Sequence, residues 1–204
     1  MNCKRKHLLS LAPRERTRRL WWLMILAPVF FLPRPVAADA PAPHPGTARF
    51  EVRFMEDMID HHAMAVEMGQ LCVTKAIHED LRTLCTEIIT AQQQEIATMQ
   101  SWLQAWYNRT HEPEMTPGDM NKQERLASLS GAEFEIEFMK RMIRHHWKAV
   151  VRATQCLDQA FHEELESLCE NIIETQLAEI VQMRLWLCDW YGLCHYGPKG
   201  KPLQ

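Results

Sequence analysis

Met58, His61 and His62, with Gln92, Glu95 and Met99, are the residues whose types and spacing could do chemistry. All six recur 84 positions later as Met142, His145, His146, Gln176, Glu179 and Met183. Imidazole nitrogen, thioether sulfur and carboxylate oxygen together are metal-ligand chemistry. Thioether with imidazole favours copper, Cu(I) above all, over magnesium or calcium. Imidazole with carboxylate also suits zinc or iron, which are the less favoured ions here. The competing reading is structural: a methionine on a helical apolar stripe is ordinarily core filling, and a buried Glu or Gln can fix helix register by pairing with a histidine. Joint occurrence favours the metal. A glutamate buried without a partner is costly, yet both copies keep one at the same distance from the same histidine pair.

No comparable constellation argues for catalysis. Di-iron bundles need Glu-x-x-His motifs on two helices, and neither copy of the motif carries one. The His-x-x-x-His of zinc proteases, the Cys-x-x-Cys-His of haem attachment and a Gly-rich phosphate loop are absent. A metal-dependent oxidase stands as the second reading. A module whose polar core only sets helix register stands as the third.

The elements that must position these residues follow from an internal duplication. Phe50 to Tyr107 and Phe134 to Tyr191 align without a gap, with 27 of 58 positions identical. In each unit His78, Leu81, Cys85, Ile88, Gln92, Glu95, Met99, Trp102 and Trp106, or their twins, follow at helical spacings of three and four. The first segment places Phe54, Met55, Met58, His61, His62, Ala65 and Cys72 on its inward side, and the pattern slips between Thr74 and Glu79. Each unit therefore reads as two antiparallel helices. Folding such a hairpin at its turn brings Met58, His61 and His62 level with Gln92, Glu95 and Met99. Adjacent histidines point roughly 100° apart on a helix, so one faces the partner helix and the other reaches the seam with the neighbouring hairpin. A lone hairpin cannot cover its apolar face, so the expected fold is all-α, a four-helix bundle of two duplicated hairpins.

The expected organisation is a leader over 1–38, a Pro-rich spacer over 39–47, hairpins over 48–107 and 132–192, and a tail over 193–204. The connection over 108–131 is expected to hold a short helix near Asn121 to Ser128. Trp102, Trp106, Trp186 and Trp190 are expected to plug the ends of the bundle. The units differ where Asp57, Asp60, Met64 and Met68 become Arg141, Arg144, Lys148 and Arg152. Acids and thioethers help a cation and arginines repel it, which favours the first unit as the stronger site. The alternative is that these swaps form salt bridges between helices.

Basic residues followed by the apolar run Leu20 to Leu32 and small residues at Val36 to Ala40 have the order of an export signal, cleaved near Ala38 or Ala40. An uncleaved membrane anchor is the alternative, and Thr17 to Trp21 has a twin-arginine flavour. Residues 1–38 carry eight Lys or Arg and one acid, so the remainder sits near −10 against −3 for the whole chain. An acidic exported chain points away from nucleic acid and towards a metal ion as partner, without stable membrane insertion once the leader is gone. The six cysteines beyond Cys3 suggest disulfides. Their places in the hairpins suggest Cys72 with Cys85, Cys156 with Cys169 and Cys188 with Cys194, and reduced thiolates as Cu(I) ligands are the competing reading. Met115, Met120 and His195 are weaker candidate ligands.

Phe-x-x-x-Met-Ile-x-His-His-x-x-Ala followed by Ile-Ile-x-x-Gln-x-x-Glu-Ile-x-x-Met-x-x-Trp-Leu resembles the bacterial family of domain of unknown function 305. The resemblance runs from Phe54 to Leu103 and again from Phe138 to Leu187. It implies a ferritin-like four-helix bundle, an exported location and, for some members, copper binding and copper tolerance through His and Met. By position, the implied ligands are Met58, His61, His62, Met68 and Met99, then Met142, His145, His146 and Met183. Arg152 departs from the usual Met, and the paired cysteines are not part of the general pattern.

Overall fold

The computed structural model describes residues 40–194, which lie in one compact unit. The proposed leader and cleavage at Ala38 fall outside these residues, as does the tail from His195 onward. The described chain forms five helices: α1 (Pro45–Lys75), α2 (Glu79–Tyr107), α3 (Pro117–Ala127), α4 (Gly131–Gln159) and α5 (Glu163–Tyr191). There is no strand among the described residues. The four long helices are the two expected hairpins, α1 with α2 and α4 with α5, and the hairpins meet along α1 and α4. No helix among the described residues is long and apolar enough to cross a membrane.

Local chemistry sets the helix ends. The spacer expected to run to residue 47 is shorter than that, because Pro45 opens α1. Proline fits the first turn of a helix, where its missing N–H has no intrahelical acceptor anyway. Asn108 and Gly192 end α2 and α5 in the left-handed conformation, φ 50° and 67°, as helix terminators commonly do. The short helix of the connection begins at Pro117, with Thr116 capping it by accepting from the Asp119 N–H. Gly69 lets α2 approach α1: a Cβ there would lie 2.8 Å from Ile89 Cγ1.

Disulfides join Cys72 to Cys85 and Cys156 to Cys169, each pinning one hairpin close to its turn. A third, Cys188 to Cys194, ties the last turn of α5 to the chain after it.

The hairpins are also tied to each other by a pair of reciprocal clamps. Glu51, fully buried on α1, reaches the start of α5. It accepts from the Phe161 and His162 backbone N–H groups at 2.6 and 3.1 Å, lies 2.6 Å from His162 Nδ1 and accepts from the Tyr107 hydroxyl. Glu135 on α4 does the same at the start of α2. It accepts from Ile77 and His78 N–H at 2.6 and 2.8 Å, lies 2.6 Å from His78 Nδ1 and accepts from the Tyr191 hydroxyl. A carboxylate at a helix N-terminus satisfies orphan donors and complements the helix dipole. The end tryptophans belong to these clamps rather than forming a simple plug. Trp106 stacks on His162 at 3.8 Å and Trp190 on His78 at 3.9 Å, each ring lying on the turn of the opposite hairpin.

Burial alone would raise the pKa of Glu51 and Glu135, but the tyrosine, backbone and histidine hydrogen bonds more than reverse it, and both carboxyls end below their ordinary value of 4.5. A lowered carboxyl pKa stabilises the fold above the unfolded value, and that contribution is lost as pH falls through the folded one. Glu51→Gln with Glu135→Gln should therefore cost about 2–4 kcal/mol at pH 7, on the scale of charge-assisted hydrogen bonds. In urea titrations at several pH values, the gap between wild type and variant should close as pH drops below 4.5.

Candidate metal centre

The apolar core is divided in two, and in all four long helices the division falls at the residues singled out for chemistry. One cluster holds Ala65 to Cys72 of α1 with Ala76 just after it, Leu81 to Ile88 of α2, Phe134 to Ile143 of α4 and Ile180 to Leu187 of α5. The other holds Phe54 to Ile59, Met99 to Trp106, Ala149 to Cys156 and Leu165 to Ile172. Between them lie His61 and His62, Gln92 and Glu95, His145 and His146, and Gln176 and Glu179. The order of the clusters makes α1 antiparallel to α4, so the two repeats are related by an approximate two-fold axis across the bundle.

That axis passes through a pair of imidazoles. His61 and His145 stack face to face across the seam, ring centroids 3.6 Å apart and planes at 28°. The other histidine of each pair turns inward to its own hairpin. His62 Nε2 lies 2.7 Å from Glu95 Oε2, and His146 Nε2 lies 2.7 Å from Glu179 Oε2. Both approaches lack the alignment of a hydrogen bond. All eight ring nitrogens of the four histidines are buried with no hydrogen-bond partner, as are Oε1 of Gln92 and Gln176. Buried polar atoms are nearly always satisfied, so eight orphaned nitrogens in one layer is a large exception.

Burial, reinforced by the neighbouring imidazoles and the Lys148 charge, holds the pKa of His61 and His145 well below 6.5. Both rings are neutral at neutral pH, with a nitrogen lone pair free to bind a metal. Among the described residues no group of three or more His, Cys, Asp or Glu side chains already converges as a metal site. The layer offers imidazole pairs and carboxylate contacts instead, and its unsatisfied nitrogens fit a soft or borderline ion.

The expected methionines divide between the two clusters. Met58 and Met99 lie on one side of the layer, and Met142 and Met183 on the other, all fully buried. Met68 joins the second group, although it belongs to the first repeat. Met68 and Met64 also line a cavity of about 340 Å3 that opens to solvent under α3 and ends on His61 and His145. The acids expected to assist a cation are engaged elsewhere. Asp60 accepts from the Glu114 N–H and lies 2.8 Å from His111 Nε2, holding the connection against α1. Asp57 is largely exposed beside Arg152. The His61–His145 contact across repeats and the two clamp glutamates were missed from sequence. Identity between the repeats, the signal that marked Glu95, equally marks Glu51 and Glu135.

His61→Leu with His145→Leu removes four orphaned nitrogens in an apolar replacement. Without metal, that variant should gain about 1–2 kcal/mol at neutral pH, since replacing polar groups by apolar ones of similar shape is neutral or stabilising. A histidine with a lowered folded pKa loses stability as pH falls below its unfolded value, because the unfolded state takes the proton first. Thermal melts of apo wild type should therefore weaken below pH 6.5, and those of the variant should weaken less.

A family described as Domain of unknown function (DUF305) matches residues 51–187. CopM in its Cu(I)-bound form is 34% identical, with a TM-score of 0.63 over 70% of this chain and 98% of that one. The Cu(II)-bound and apo forms of CopM match at the same identity, with TM-scores of 0.63 and 0.61. A DUF305 fragment from Deinococcus radiodurans is 27% identical, with a TM-score of 0.61 over 72% of this chain and 97% of that one. No curated protein matches the sequence. The match over most of the described helices makes this chain a member of the DUF305 family.

Proposed function

We propose that this protein is an exported copper-binding protein, a buffer or carrier that takes the ion at the histidine layer between its two hairpins. The observation that carries the reading is the set of eight buried imidazole nitrogens without hydrogen-bond partners, two of which lie 2.7 Å from the Glu95 and Glu179 carboxylates. His61, His62, His145 and His146 would supply nitrogen. Met64 and Met68 in the cavity, with Met58, Met99, Met142 and Met183 beside the layer, are the sulfur candidates, and Glu95 and Glu179 the carboxylates. Soft sulfur with imidazole suits Cu(I) and accepts Cu(II). The likeness to CopM, whose structures include Cu(I)-, Cu(II)- and Ag-bound forms, supports a copper-linked role. Export rests on the basic-then-apolar order of the leader, and three disulfides suit an oxidising compartment. The reading assigns no catalytic step, since storing or carrying an ion needs only binding.

Because the four rings meet in one layer, the repeats should not act as separate sites. His61→Ala with His62→Ala, and His145→Ala with His146→Ala, should weaken copper binding to a similar extent, measured by equilibrium dialysis and elemental analysis. Wild type should bind one or two ions and be stabilised by about 2.7 kcal/mol when free metal is 100 times the dissociation constant. Copper binding unchanged in both double variants, with thermal stability indifferent to metal, would leave only a register-setting polar layer.

A further inference from the structure

Two walls of the cavity above the His61–His145 stack differ chemically. One is α1, which contributes the thioethers Met64 and Met68. The other is α4, which contributes Arg144 and Lys148, the residues that stand in the second repeat where Asp60 and Met64 stand in the first. Further cations at the rim are already paired: Arg141 with Glu137 at 2.6 Å, and Lys122 with Asp119 at 2.8 Å. Arg144 and Lys148 have no hydrogen bond or ion pair among the described residues, so the mouth carries two uncompensated positive charges. The sign is opposite to that of the chain, which is −3 overall. At the floor, His145 is 7% exposed with both ring nitrogens unpartnered.

A bare cation is repelled from such a mouth, and the methionines at the opposite wall are ligands for a soft ion. We propose that the cavity is a vestibule for a soft metal ion arriving as a negatively charged complex with a small soft anion such as a thiolate, thiosulfate or halide. Arg144 and Lys148 hold the anionic ligand while the ion passes to the thioethers and imidazoles. The exchange is redox-neutral: the bond from ion to anion breaks, bonds from ion to sulfur and nitrogen form, and the anion leaves with its electron pair. The swaps between repeats thereby acquire a use. They do not weaken a second site but furnish the far wall of a shared one. The proposal rests on the copper reading and concerns the form in which the ion is taken up.

Silver(I), delivered either as the nitrate or as its anionic thiosulfate complex, separates the two ideas. Uptake rates would be followed by stopped-flow tryptophan fluorescence for wild type, for Arg144→Gln with Lys148→Gln, and for the charge-conserving Arg144→Lys with Lys148→Arg. At low ionic strength the neutralised variant should take silver from thiosulfate about 3–10-fold more slowly, with the deficit fading as salt screens it. Its uptake from nitrate should be unchanged or faster, and the charge-conserving variant should follow wild type with both sources. Equal slowing from both sources, or no slowing from thiosulfate, overturns the vestibule while leaving metal binding intact. If wild type takes up silver from neither source, the metal reading falls and the vestibule with it.

Discussion

Four imidazoles must be enclosed where two helical hairpins meet, and the protein supplies none of them with a hydrogen-bond partner. The rest of the structure is arranged around that constraint. Apolar clusters close over the layer from both sides, and a cavity open to solvent reaches its His61–His145 pair. Disulfides hold each hairpin near its turn, and the reciprocal glutamate clamps fix the offset of one hairpin against the other. A slip of one residue along the seam would part His61 from His145. The clamps at the far ends resist that slip because each engages backbone N–H groups at a helix start, which cannot move without the whole helix. Satisfied polar groups at both ends thus hold unsatisfied ones in the middle.

Such an arrangement is unfavourable for an empty protein and favourable for one that receives an ion. The His61 and His145 rings, kept neutral by burial, are ready ligands, and rings already immobilised lose little further entropy on binding. The flanking methionines have two descriptions that do not conflict. They fill core volume, as unbranched apolar side chains do, and they place sulfur on either side of the nitrogen layer.

The helices, their pairing, the turn near residue 77 and the level at which His62 meets Glu95 were legible in the sequence. All follow from helical periodicity and from one gapless duplication. The disulfides were legible for the same reason, since two helical periods fix where each cysteine falls relative to the turn. Contacts between the hairpins were not legible. Which residue of α1 faces which residue of α4 depends on the offset of two packed surfaces, so the His61–His145 stack could be anticipated only as a histidine aimed at a seam. The role of Glu51 was not legible because its partners, Phe161 and His162, are 110 and 111 residues away. Pro45 read as spacer because proline is equally at home in an extended segment and in the first turn of a helix.

The cavity floor lies on the approximate two-fold axis, while its walls carry different residues at matching places, Met64 on α1 and Lys148 on α4. An assembly of two identical chains around that axis would give every wall residue the same identity in both copies. Methionine on α1 would then require methionine at the matching place on α4. Joining the halves through residues 108–130 removes that obligation. Covalent fusion lets a nearly symmetric scaffold present sulfur from one side and positive charge from the other, an asymmetry that a homodimer of a single hairpin could not encode.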